Sequence, residues 1–294
     1  MKPAPFEYYA PNSIEETLLL LHNYESEAKL LAGGQSLVPA MNFRVVQPSV
    51  LIDLNRVKEL SYVREDSNCV RIGAMTRERT LELEPLISKR YPLLEEAMPH
   101  VAHPQIRNRG TLGGSLANAD PAAELPVIML ALGARLKVRG VDSERWVDAH
   151  NFFSGMFMTD LAPGEMLVEI ELPSHQSRTG WSFLEVAPRA GDYALMGVAV
   201  LVTLDENQKC KQARLVYLNA GDGPVDAKES AQLLEGQNLN DELIDSAAAL
   251  ASEKEINPFG NIHASAEFQR HLANVLTKRA LMTAFQRAGE ANIQ

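Results

Sequence analysis

The sequence predicts an α+β fold in two parts: an N-terminal domain that opens on alternating α/β, then a C-terminal domain of antiparallel sheet with helices. Three observations carry that reading. Strands and helices alternate over the first fifty-odd residues. A hairpin pattern, helical stretches and further strands fill the chain to about residue 175. Beyond it, long strands come first and helices follow. The boundary falls near residue 175, which gives an N-terminal domain of 1–175 and a C-terminal domain of 176–294.

Residues 13–24, SIEETLLLLHNY, read as an amphipathic helix, with Ser13 as N-cap and Glu16 at the spacing of a capping box. AKLLAGG (28–34) reads as a short buried strand entering a glycine turn, and SVLIDL (49–54) as another, with a loop between them. LSYVREDSNCVRIG (60–73) reads as a hairpin turning near Asp66–Asn68. Helical segments follow around 76–99. PAAELPVIMLALG (121–133) predicts an apolar helix, capped by Asp120 and opened by Pro121. ARLKVRG and RWVDAH predict strands, and EMLVEIELP (165–173) alternates and stops at proline. In the C-terminal part, GWSFLEVAPRAGDYALMGVAVLVTL and CKQARLVYLNAG predict long antiparallel strands. Helices are predicted over about 226–253, broken near Gly236, and over 264–288.

Composition excludes several functions. A net charge of −10 without a basic tract repels phosphate backbones, which argues against nucleic-acid binding. No run approaches the ~18 apolar residues of a membrane span. The N-terminal MKPAPFEYYAP lacks the apolar region of a signal peptide, so a cytoplasmic protein is expected. Cys69 and Cys210 are far apart and form no CxxC, so this chain cannot ligate an iron–sulfur cluster. Two reduced thiols are expected. His100 and His103 precede Pro104 and read as a hydrogen-bonded loop pair, not a metal site.

LLAGGQSLVP (30–39) and TLGGSL (111–116) repeat one idea: a Gly-Gly pair followed by small polar residues. A tight turn with positive φ explains such a pair by itself. The alternative is an anion cradle, in which successive bare N–H groups point inward. Ser36 and Ser115 would add hydroxyl donors. Two phosphate-sized sites in one domain suit a dinucleotide and do not distinguish FAD from NAD. The chain has no GxGxxG, no GxxxxGK[ST] and no GxSxG.

AGGQSL (32–37), RNRGTLGGSLANADPAAELP (107–126) and GDYALMGVAV (191–200) together resemble the FAD-binding (medium) subunit of molybdenum hydroxylases. This is the xanthine dehydrogenase family, with carbon monoxide dehydrogenase and quinoline oxidoreductase among its members. The resemblance implies a vanillyl-alcohol-oxidase, or PCMH-type, FAD-binding domain of two α/β subdomains, about 1–55 and 56–175, followed by the family's α+β C-terminal domain. It implies that Ala32, Gly33, Gly34, Gln35 and Ser36 bind the FAD diphosphate, flanked by Lys29 and Leu37. Thr111, Gly113, Gly114 and Ser115 would form a second diphosphate-side contact, with Asn118 along the cofactor. Glu124 would lie near the ribose and adenine, Leu167 beside the adenine or ring system, and Tyr193 near the isoalloxazine. Read from the residues alone, Leu167 is core and Glu124 solvates a helix start. Gln35 stands where some relatives carry histidine. Glu185 stands where carbon monoxide dehydrogenase-like relatives tend to have lysine.

The implied function is electron transfer, with no catalytic residue or metal ligand in this chain. Electrons would come from two [2Fe–2S] clusters on a small partner subunit and leave through FAD to an external acceptor. The substrate, leaning toward an N-heterocycle or other small aromatic, would be oxidised at the molybdenum cofactor of a large partner subunit. The expected assembly is a dimer of heterotrimers. The alternative is a self-sufficient FAD-dependent oxidase or reductase of the same fold with its own substrate site. A non-catalytic interaction protein on the same fold is the third class.

Overall fold

The computed structural model describes residues 1–174 and 176–290. The first subdomain holds β1 (Glu7–Tyr9), α1 (Ile14–Tyr24), β2 (Ala28–Leu31), α2 (Leu37–Asn42) and β3 (Val50–Asp53). The strands form a parallel sheet in the order β1-β3-β2, because each helix carries the chain back before the next strand. α1 buries Ile14, Leu18 and Leu21 against Val50 and Ile52. Ser13 Oγ accepts from the Glu16 N–H at 3.1 Å. Glu16 reaches back to the Asn12 N–H at 2.8 Å, one residue earlier than a capping box requires. α2 replaces the expected loop. Pro39 sits at its third position, where a missing N–H costs nothing.

The second subdomain carries β4 (Val63–Asp66) and β5 (Cys69–Gly73), the predicted hairpin. Short helices follow: α3 (Glu78–Leu83), α4 (Pro85–Arg90), α5 (Pro92–Ala97), α6 (Pro104–Arg107), α7 (Leu112–Asn118) and α8 (Glu124–Leu132). Then come β6 (Arg135–Arg139), β7 (Glu144–Asp148), α9 (Ala149–Phe152), β8 (Phe153–Gly155), β9 (Met158–Thr159) and β10 (Met166–Pro173). The antiparallel sheet runs β4-β5-β10-β6-β7. All nine residues of α8 are buried, as its apolar circumference requires. It begins at Glu124 rather than Pro121. Asp120 makes an Asx turn to the Ala122 N–H at 3.0 Å, and the Pro121 carbonyl accepts from the Asn219 N–H at 2.7 Å.

The C-terminal part has β11 (Thr179–Val186), β12 (Met196–Leu204), β13 (Cys210–Leu218) and β14 (Val225–Asp226), antiparallel in that order. α10 (Lys228–Leu234), α11 (Asp241–Leu250) and α12 (Ala266–Glu290) cover one face. β12 is buried along its whole length because both its faces are covered. Val198, Val200 and Val202 face the helices, while Ala199 and Leu201 join the core built around α8. α8 thus seats the C-terminal sheet on the second subdomain and sets the seam between them. Among the described residues, no helix is long and apolar enough to cross a membrane.

Candidate functional site

β2 pairs with β3 as far as Leu31 opposite Asp53, and the chain then leaves the sheet. Gly34 takes φ +75°, which strains any side chain. From Gly33 through Leu37, no backbone N–H finds an acceptor among the described residues. Bonding resumes with Val38, which donates to the Gly34 carbonyl at 3.1 Å. The Gln35 amide donates to the Gly33 carbonyl at 3.1 Å. Ser36 is exposed at the N-cap of α2 and makes no capping bond. Five consecutive free N–H groups on a partly exposed glycine bend make an anion cradle.

The second Gly-Gly pair is helical. Thr111 caps α7 and accepts from the Gly114 N–H at 3.1 Å. Leu112 donates to the Thr76 carbonyl at 3.0 Å, Gly113 to Ala74 at 2.8 Å, and Ser115 to Thr111 at 3.0 Å. Every N–H from Leu112 through Ser115 is therefore occupied. A methyl on Gly113 would lie 2.6 Å from Ala74 Cβ, so glycine is required there by packing. Ser115, partly exposed, keeps its hydroxyl available.

The two bends touch. A methyl on Gly33 would lie 2.5 Å from the Arg109 carbonyl oxygen and 2.8 Å from Gly110 Cα. One on Gly114 would lie 3.3 Å from Ala32 Cβ. Two side chains that sequence reasoning missed clip them together. Asn55 donates from Nδ2 to the Ala32 carbonyl at 3.1 Å. Arg77 donates from Nη2 to Asn55 Oδ1 at 2.5 Å and from Nη1 to the Arg109 carbonyl. No motif marks these residues, which are 22 apart in sequence. Burial pushes the Asp53 carboxyl up, but hydrogen bonds from Tyr8 and Asn55 outweigh it and hold it below its usual value. The charge of Arg109 acts on both Asp53 and Arg77, so a cation stands beside the cradle.

The far end of α7 is acidic. Ala119 closes the helix at φ +49° and its carbonyl accepts from the Phe157 N–H at 3.0 Å. Glu124, at the start of α8, is buried. Its burial, reinforced by the Asp120 charge, pushes its carboxyl up to about 7. Tyr193 sits on the β11–β12 connection with its ring 71 % exposed. Its hydroxyl is raised by desolvation, then by the Asp120 and Glu124 charges. One buried carboxyl oxygen here, Glu185 Oε2, has no hydrogen-bond partner; Glu78 Oε2, also without one, lies at the opposite end of α7, against Gly110. Asn118, the last residue of α7, is partly exposed. Lys29 is exposed on β2. Leu167, only 6 % exposed beside the β10 bulge, belongs to the core around α8.

The structure thus brings Ala32–Leu37 and Thr111–Ser115 together and sets Asn118, Glu124 and Tyr193 at the other end of α7. Leu167 lies behind them in the core. The unsatisfied groups fit an extended dinucleotide: free donors at one end for an anionic diphosphate, and an orphan acceptor on Glu185 at the other for a ring or hydroxyl donor.

Residues 4–175 match the family described as the FAD binding domain in molybdopterin dehydrogenase. Residues 181–284 match the CO dehydrogenase flavoprotein C-terminal domain. The chain is 41 % identical to the 6-hydroxypseudooxynicotine dehydrogenase complex subunit alpha of Paenarthrobacter nicotinovorans, over 98 % of this chain and 97 % of that one. It is 38 % identical to the carbon monoxide dehydrogenase medium chain of Hydrogenophaga pseudoflava, over 98 % and 99 %. The solved carbon monoxide dehydrogenase of that organism superposes with a TM-score of 0.95, covering 98 % and 99 % of the two chains at 38 % identity. Quinoline 2-oxidoreductase from Pseudomonas putida 86 does so with 0.92, covering 98 % and 99 % at 37 % identity. With a glycine cradle in its first domain and relatives along its whole length, the chain belongs to the FAD-binding medium subunits of the molybdenum hydroxylase family.

Proposed function

We propose that this chain binds FAD from the 33–37 bend, past α7, to the Tyr193 loop, and that it is the electron-transfer subunit of a heterotrimeric molybdenum hydroxylase. Gly33, Gly34, Gln35, Ser36 and Leu37 hold the diphosphate through backbone N–H groups, with Ala32 and Lys29 beside them. Thr111, Gly113 and Gly114 shape the turn that backs the cradle, and Ser115 offers its hydroxyl. The Asn118 amide lies along the cofactor. Glu124 shares its surroundings with Tyr193, so we place both at the ring end, and Leu167 supports that end from the core.

Bound FAD supplies the redox chemistry. The chain's own residues bind it, orient it and keep water from its inner side; none acts as a general acid or base. Electrons come from two [2Fe–2S] clusters on a small subunit and go to an external acceptor. The substrate is oxidised on a large subunit that holds the molybdenum cofactor, and the complex is a cytoplasmic dimer of heterotrimers. An N-heterocyclic substrate is the best-supported class, since two relatives are named for a nicotine derivative and for quinoline. The name carbon monoxide dehydrogenase points to a different class.

The observation that carries this reading is the row of five free N–H groups, pressed against α7 by Asn55 and Arg77. Purified full chain is expected to show a flavin absorption spectrum at one FAD per chain. The native complex is expected to yield two further subunits, molybdenum and iron. A chain that takes up no flavin refutes the site. Substrate turnover by the chain alone favours the self-sufficient oxidase.

A further inference from the structure

The connection from β11 to β12 carries Tyr193 and is closed at its base by the Leu195 N–H, which donates to the Val186 carbonyl at 2.7 Å. Tyr193 itself is 71 % exposed, so little packing holds its ring and the backbone that carries it sets its place. The next two carbonyls, of Ala194 and Leu195, both accept from Asn219 Nδ2, at 2.8 and 3.2 Å. Gln269 of α12, 1 % exposed, donates to the Leu195 carbonyl at 3.0 Å and to the Asn219 carbonyl at 3.4 Å. Its own Oε1 accepts from the Gly260 N–H at 3.0 Å. Two side chains far apart in sequence thus converge on the residues that follow Tyr193.

Asn219 also grips the other domain. Its N–H donates to the Pro121 carbonyl at 2.7 Å, in the Asp120 turn that leads into α8. One residue therefore bonds the Tyr193 connection with its side chain and the approach to Glu124 with its backbone. The residue type follows from this double task. Asn219 stands just beyond β13 at φ +53°, a left-handed conformation that asparagine tolerates better than most side chains. Glycine would tolerate it too but brings no donor, and aspartate when ionised only accepts. The asparagine amide supplies two N–H donors to carbonyls that would otherwise lack them.

We propose that Asn219, seconded by Gln269, is a positioning residue of the cofactor site: it clamps the Tyr193 connection to the turn before α8 and so sets the tyrosine ring against the isoalloxazine. The positioning role rests on the FAD reading above; the clamp itself does not. Neither side chain touches the diphosphate cradle, which lies at the other end of α7. Loss of the clamp therefore disturbs the surroundings of the ring more than the grip on the phosphates.

Asn219→Gly keeps the left-handed backbone and removes only the side-chain donors. Two measurements on the full chain use it. Arg189 is exposed on the connection, so tryptic cleavage after it reads local opening. In cofactor-free protein that cleavage should quicken about fivefold or more, because the two Nδ2 bonds to the connection are lost. In protein saturated with FAD, the fluorescence of the bound flavin should rise toward that of Tyr193→Leu, because a tyrosine ring against the isoalloxazine quenches it. A residue that served stability alone would lower the urea midpoint and leave this fluorescence at the wild-type level. Gln269→Met should act in the same direction and takes the place of Asn219→Gly if that variant does not fold. Cleavage after Arg189 that is unchanged in both variants overturns the clamp. Faster cleavage with wild-type fluorescence, while Tyr193→Leu is brighter, overturns the positioning role. A wild type that binds no FAD, or a Tyr193→Leu no brighter than wild type, refutes the placing of the ring end and the positioning role with it, while the cleavage rate still judges the clamp.

Discussion

The bend at Gly33–Leu37 and the turn at Thr111–Ser115 share a sequence pattern, yet they use their N–H groups in opposite ways. The first leaves five without a protein acceptor; in the second the four from Leu112 through Ser115 bond to Ala74, Thr76 and Thr111. In the proposed site the first is the binding surface and the second is its wall. A Gly-Gly pair therefore does not by itself mean a ligand. In one place glycine frees the backbone for an anion, and in the other it lets a helix lie against Ala74. Unpartnered carboxyl oxygens lie at both ends of α7: Glu78 Oε2 against Gly110, beside the Gly33 bend, and Glu185 Oε2 at the far end.

The largest effect is expected where the two regions touch. In Gly33→Ala the new methyl meets backbone atoms of Arg109 and Gly110, which cannot rotate away. Overpacking of this kind costs about 1–3 kcal/mol of stability. Displacing the cradle from its wall should weaken FAD binding by about a hundredfold or more, a loss of about 3 kcal/mol. Gly114→Ala is the contrast. Its methyl meets the Thr111 hydroxyl, the far end of a side chain, at 2.6 Å. Loss of the cap, about 1 kcal/mol, offsets the helix preference of alanine over glycine, also about 1 kcal/mol. Denaturant midpoints should thus barely move for Gly114→Ala and fall for Gly33→Ala; equal falls would erase the distinction between surface and wall.

Much of the fold was legible because it rests on local signals. The strands at 28–31, 50–53 and 166–173, the hairpin at 63–73 and the long C-terminal strands all follow from apolar runs, alternation and turn residues. The α1 cap at Ser13 was legible for the same reason. The misses came where distant contacts decide. Gly113 and Gly114 read as loop because glycine disfavours helices, but tertiary bonds to Ala74 and Thr76 impose a helical turn. α8 starts late because Asp120 and Pro121 are held by a turn and by Asn219 from β13's end. Both glycine pairs stand out in the sequence, and the structure brings them into contact. Asn55 and Arg77 do not stand out, since only the folded sheet brings them together.

Next in size is the effect of pH on the buried carboxyls at both ends of α7. Burial, then the Glu124 charge, pushes Glu78 up to about 8; Glu124 stands at about 7 and Glu185 at about 8. Their values are raised above the unfolded range. The folded chain therefore holds more protons than the unfolded one between about pH 4.5 and 8. Stability is full below that window and is lost as pH rises through it, by about 1.4 kcal/mol per pH unit for each extra proton as an upper bound. Urea midpoints should fall between about pH 5.5 and 8.5, and Glu78→Gln should flatten the fall. A midpoint that rises over this range contradicts the assignment of buried protons to these carboxyls.

A smaller effect is expected at the clip. Arg77→Met removes the bonds to Asn55 and the Arg109 carbonyl while keeping the length of the side chain. Hydrogen bonds from a charged donor are worth about 1.5–3 kcal/mol in such settings. Stability should fall by about that amount, and FAD affinity by about tenfold, because the cradle loses its fixed distance from the wall. Arg77→Lys should not restore affinity, since one ammonium cannot span both acceptors as a planar guanidinium does. Rescue by lysine would mean that the charge beside the diphosphate matters, and the clip does not.

The two serines give the finest measure of the comparison. Ser36 is exposed, caps nothing and lies inside the row of free N–H groups. Ser36→Ala should leave stability within about 0.5 kcal/mol. It should weaken FAD binding about fivefold, the loss of one hydrogen bond of about 1 kcal/mol. Ser115 lies within α7, at the end of the turn whose N–H groups are bonded to the protein. Ser115→Ala should weaken binding less, and alanine's helix preference should raise stability by a few tenths of a kcal/mol, roughly. If Ser115→Ala proves the more damaging of the two, the diphosphate sits on the α7 side. The bend at Gly33 would then be the wall, and the roles assigned to the two glycine pairs would be reversed.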